Sequence, residues 1–191
     1  MKIIFLDFDG VITIPPKWHF DNDKIKYIKK IVDETNAKIV VSSSWRRKTI
    51  NETIEKIKKW NYKYTKSKLF DWFINNLYDV TPWISDNKYS GTGRGGEIQT
   101  WLDDHPDVDN YVIIDDDSDM LDSQLYHFVE TNYEDGITEV EAHRAIKILN
   151  KVKIINPMAI NFELRYQYLL KINKLPNKYD ELKKYDMNDH Y

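Results

Sequence analysis

The chain has 191 residues, of which 41% are apolar and 31% charged, with a net charge of −3 and no cysteine. A soluble globular protein with one sizeable core is expected, and disulfides, thiolate metal sites and cysteine nucleophiles are excluded. No apolar run approaches the roughly 18 residues of a membrane span, and no secretory signal pattern precedes the first apolar segment, so a cytoplasmic location and no membrane partner are expected.

Residues 2–6 form a short apolar run that reads as a buried strand, delivering Asp7 to a sheet edge. Asp7 and Asp9 would face opposite sides of a continuing strand. A turn must begin here for both to serve one site, and Gly10 permits it. Taken alone, this DxDG is also what an acidic turn looks like. Residues 12–22, with Pro15-Pro16 and Trp18-His19, read as a loop or small hairpin beside Asp9, where His19 is expected as an exposed flap residue, a proton shuttle being the alternative. Asp21–Asp23 offers a helix N-cap, Ile25, Ile28 and Val32 mark an apolar face, and Asn36 fits the stop.

Residues 37–41 give a second buried strand, running into Ser42-Ser43-Ser44-Trp45-Arg46. Ile50, Ile54 and Ile57 mark another helix whose cations lie off the apolar stripe. Residues 46–68 hold nine Lys and Arg against Glu52 and Glu55. That is a solvated helix face or, with Trp60, Tyr62 and Tyr64 interleaved, a nucleic-acid footprint. Residues 69–77 read as a short helix, 79–84 as an extended segment, and 85–96 as a glycine-rich loop containing Arg94. Ile98, Trp101 and Leu102 mark a helix that stops before Pro106.

Residues 111–114 form a third strand, running into Asp115-Asp116-Asp117-Ser118-Asp119. A fourth strand is expected near residues 127–130. Thr138 and Glu141 form a capping box for a helix lined by Val140, Ile146 and Leu149. The core domain is expected to span residues 1–150. Residues 151–191 then form an appendage, with one amphipathic helix through Phe162, Tyr166 and Leu169.

Strands alternating with helices imply an α/β protein with a mainly parallel sheet. Three strands end in chemistry: Asp7/Asp9, Ser42–Ser44 and Asp115/Asp116. In a parallel sheet those ends share one rim. Carboxylates from two strand ends cannot sit close together without a proton or cation between them, and a hard divalent ion such as Mg²⁺ is the natural solution.

The ordered set Asp7-Phe8-Asp9-Gly10-Val11, a strand-terminal serine, a basic residue, then Ile113-Ile114-Asp115-Asp116 resembles the haloacid dehalogenase (HAD) superfamily over residues 1 to about 150. The finer pattern Ser43-Ser44-Trp45-Arg46, Thr81-Pro82, Arg94-Gly95, Glu97-Ile98 and Trp101-Leu102 resembles the HAD domain of Swiss Army knife RNA-repair proteins. The resemblance implies a three-layer Rossmann-like fold with a minimal cap or none, and an Mg²⁺-dependent phosphatase working through an aspartyl-phosphate. It makes Asp7 the nucleophile and Asp9 the acid and base. It has Ser43, among the three serines, and Arg94 hold the phosphoryl group. Asp7, the Asp9 carbonyl and Asp116 would bind Mg²⁺, with Asp115 orienting a water on the ion. Ser44 and Arg46 would touch substrate, and Asp117 and Asp119 would support or cap. Arg94 departs from the family's usual lysine.

Only residues 10–36 separate the first two strands, and about fifty residues between Ser44 and Arg94 must also build a helix and an extended segment. At most a small cap fits. An open site and the basic 46–68 segment favour a phosphorylated RNA or DNA end, as in nucleic-acid repair. Nucleotides or other small phosphoesters are the alternative. A non-catalytic module binding phosphorylated ends or a protein is a further reading, disfavoured by the intact aspartate set.

Overall fold

A computed structural model of the chain describes residues 1–61, 67–83 and 92–151. The chain divides into two units, Met1–Ile154 and Ile155–Tyr191. The helix expected through Phe162, Tyr166 and Leu169 lies outside the described residues, as do Tyr62 and Tyr64.

In chain order the elements are β1 (Lys2–Leu6), α1 (Asn22–Thr35), β2 (Lys38–Val41), α2 (Ile50–Asn61), α3 (Lys68–Asn75), β3 (Leu77–Val80), α4 (Gly93–Asp103), β4 (Asn110–Asp115), a 3-10 turn (Asp122–His127), β5 (Phe128–Glu130) and α5 (Glu139–Leu149). Among the described residues five strands form one sheet in the order β3-β2-β1-β4-β5, with every pairing parallel.

The central strand β1 shows why the sequence runs apolar there. Ile4 and Leu6 enter the core under α1, α2, α3 and α5, whereas Ile3 and Phe5 enter a second core with Ile98 and Trp101 of α4. A strand covered on both faces buries every side chain, so alternation disappears. The result is a three-layer α/β domain.

The expected start and stop of α1 hold. Asp21 caps it by accepting from the Asp23 N–H, and Asn36 closes it in the left-handed region at φ 55°. Thr138 and Glu141 form the capping box of α5.

Three local expectations need correction. Leu77 opens β3 instead of ending a helix, pairing with Ile39 after Asn76 has closed α3. Gly93–Gly96 is the first turn of α4, not loop. Asp119, 25 residues away, accepts the Arg94 N–H at 2.9 Å and so supplies a cap that no neighbouring residue offers. His19 is half-buried, and its neighbour Trp18 is the exposed one, lying against Tyr133. Among the described residues no helix is long and apolar enough to cross a membrane.

Candidate active site

The strand order reverses at β1 and β4, and open α/β sheets bind ligands at such a switch point. Asp7 follows β1 and donates its N–H to Ile114 O at 3.0 Å, while Ser42 donates to Leu6 O at 2.9 Å. The ends of β2, β1 and β4 therefore stand level. After Asp7 the chain turns sharply. The N–H groups of Val11, Ile12 and Thr13 all reach Phe8 O, and Gly10 donates to Thr13 O at 2.8 Å. This is the turn that lets both aspartates serve one rim. Gly10 sits at φ 69°, and a Cβ there would collide with the Asp116 carboxyl, so position 10 requires glycine on two counts.

Asp7, Asp115 and Asp116 each present a carboxylate oxygen within 4.8 Å of the other two. Burial pushes Asp7 up to about 7, against the pull of Arg94 and a hydrogen bond from Ser43. Burial, then the neighbouring Asp7, pushes Asp115 up to about 8, and burial also raises Asp116.

Arg94 reaches across three strand ends. Its Nη1 donates to Ser42 O, its Nη2 to Asp7 Oδ1 at 3.3 Å, and its Nε lies 3.4 Å from Asp115 Oδ2. Two of its five N–H groups thereby donate hydrogen bonds, and the approach of Nε to Asp115 is an ion pair without one. Ser43 is fully buried beside Asp7, which distinguishes it from Ser44, whose side chain is exposed.

Asp9 is held by two donors. Thr13 Oγ1 lies 2.5 Å from its Oδ1, and Trp45 Nε1 donates to its Oδ2 at 2.9 Å.

Arg46 is not placed as an open substrate ligand. It is 2% exposed, and its guanidinium donates to Ser43 O, Thr81 O and Pro82 O. It also pairs with Glu97 of α4 at 2.5 Å and lies 3.7 Å from the Trp83 ring centre. Arg46 therefore ties the ends of β2 and β3 to α4. Asp119 takes the capping role expected of it, at the N-terminus of α4.

The donor set suits a hard divalent cation. Three carboxylates converge, and Asp115 Oδ2 is buried and accepts no hydrogen bond. A cation there would favour the ionised forms that burial disfavours. Chemically, the rim can surround a small tetrahedral anion with a carboxylate, a hydroxyl and a guanidinium.

Thr13 is not singled out by the sequence, and Trp45 and Glu97 enter only as parts of a motif pattern. Trp45 lies 36 residues from Asp9, so only the alignment of β1 and β2 brings them together. Its position two residues after Ser43 was the one available signal.

The class defined here is a Rossmann-like α/β domain with a carboxylate-lined site at its switch point. The family described as the HAD domain in Swiss Army Knife RNA repair proteins matches residues 3–142, and the chain belongs to that family. No curated protein and no solved structure matches the chain.

Proposed function

We propose that this protein is a Mg²⁺-dependent phosphohydrolase that removes a terminal phosphate from a nucleic acid. The observation that carries the reading is the setting of Asp7, a carboxylate contacted by Ser43 and Arg94 and flanked by Asp115 and Asp116. Binding alone needs no nucleophile among phosphate-holding groups.

In this reading an Asp7 oxygen attacks phosphorus, the bond to the leaving oxygen breaks, and an aspartyl-phosphate forms. The Asp9 carboxyl gives its proton to the leaving oxygen, then takes one from the water that hydrolyses the acyl phosphate. Ser43 and Arg94 hold the phosphoryl oxygens as charge builds. Mg²⁺ held by Asp7, Asp116 and the Asp9 carbonyl, with Asp115 beside them, would offset charge on those oxygens. Arg46 serves by fixing Ser43 and α4.

The family's association with RNA repair and the cationic residues after Ser44 support a polynucleotide. The test is an Mg²⁺-dependent assay on an aryl phosphate, on nucleotides, and on 5′- and 3′-phosphorylated oligonucleotides. Oligonucleotides should show the highest kcat/KM. Equal turnover of nucleotides would refute the polynucleotide substrate, and no turnover of any ester would refute the enzyme.

A further inference from the structure

We infer that Trp45 is the positioning residue of the site, setting at once the acid and base carboxylate Asp9 and the phosphate-binding hydroxyl Ser43; this rests on the proposed phosphohydrolase reading. Two donors of one residue carry it. The indole Nε1 of Trp45 donates to Asp9 Oδ2 at 2.9 Å, and its main-chain N–H donates to Ser43 Oγ at 3.3 Å. An indole N–H can only donate, so it fixes Asp9 by an oxygen that accepts. The other oxygen, Oδ1, accepts from Thr13 Oγ1.

The indole is itself locked. Phe20 and Trp60 meet it edge to face, with centroids 5.6 and 5.8 Å away. Lys56 Nζ lies 5.2 Å from its ring centre and donates to its carbonyl at 3.0 Å. A donor held this firmly constrains the carboxylate it binds, and proton transfer requires such constraint. Thr13 does the same work from the opposite oxygen, but it is held within the turn that Asp9 itself belongs to. Trp45 links that turn to the segment after β2.

The test compares wild type and Trp45→Phe on 2,4-dinitrophenyl phosphate, whose leaving group needs little protonation, and on phenyl phosphate, whose leaving group needs more. Trp45→Phe should lose about tenfold in kcat on phenyl phosphate and about twofold or less on the dinitrophenyl ester, a fraction of what general acid catalysis supplies. Inhibition by inorganic phosphate should change little. In an Asp9→Ala background the same substitution should leave the phenyl phosphate rate unchanged. Should Trp45→Phe melt early, 3-benzothienylalanine at position 45 keeps the indole's shape without its N–H, and the same selective loss is expected. Equal losses on both esters, or a full loss persisting without the Asp9 carboxyl, would overturn the inference while leaving the phosphohydrolase intact. A wild type inert on both esters would sink both.

Discussion

At the scale of single residues, Asp7 and Arg94 carry the sharpest expectations. Asp7→Asn keeps the side chain's size but replaces the carboxylate proposed to attack phosphorus. Turnover of an aryl phosphate should fall by about 10³-fold or more while the far-ultraviolet circular dichroism stays unchanged. Arg94→Lys keeps the charge, but a lysine ammonium cannot span Ser42 O, Asp7 and Asp115 as the planar fork does. A loss of about tenfold in kcat is expected, with Arg94→Ala losing more. If lysine matches arginine in kcat, the fork is not required.

The same cluster sets a dependence on pH. Asp7 at about 7 and Asp115 at about 8 hold protons more tightly when folded than the 3.8 of a free aspartate. Between about 4 and 8 the metal-free folded state therefore binds more protons than the unfolded chain. Stability contributed by these groups falls as pH rises through that window. Saturating Mg²⁺ should flatten the fall by pairing with the ionised carboxylates, and should release protons on binding. Thermal melts in EDTA and in Mg²⁺ across pH 5 to 8 measure the first effect, and calorimetry in two buffers of different ionisation enthalpy measures the second.

At the scale of elements, Arg46 is a cross-brace. It joins the loop after β2 to the end of β3 and to Glu97 on α4. Arg46→Leu would leave the largely buried Glu97 carboxylate uncompensated, at a cost of about 3 kcal/mol or more. Urea melts should register that loss, and adding Glu97→Leu should return much of it.

Elements also show what the sequence could say. β1, β2 and β4 were legible because both faces of each are covered, which forces apolar runs ending in polar groups. β3 was not, because its edge position leaves Tyr78 exposed and mixes polar with apolar residues. The start of α4 was hidden because its cap, Asp119, comes from the loop after β4. Of the site, Asp7, Asp9, Ser43, Arg94, Asp115 and Asp116 were legible as strand-end and motif residues, and the fold brings them to one rim. The partners Trp45 and Glu97 depend on contacts between distant segments, which no local pattern encodes.

At the scale of the whole domain, charge is divided. The fifteen acidic residues of 95–143 include Asp115 and Asp116 of the site, whereas the cations of 46–68 follow Ser44 directly. On α2 the apolar stripe faces the core through Ile57, and Lys58 and Lys59 are exposed. A solvated face and a nucleic-acid footprint predict different behaviour for those two lysines. If they only solvate the helix, Lys58→Glu with Lys59→Glu changes no kinetic constant. If they attract a polynucleotide, KM for a phosphorylated oligonucleotide rises about three- to tenfold at low salt, and its dependence on salt becomes shallower because fewer counterions are released. An aryl phosphate has no chain to attract, so its kcat and KM should stay as in wild type. Measuring both substrates from 50 to 300 mM salt separates the long-range attraction from the chemistry. An oligonucleotide KM that is indifferent both to salt and to the charge reversal would move the substrate reading to nucleotides or other small phosphoesters.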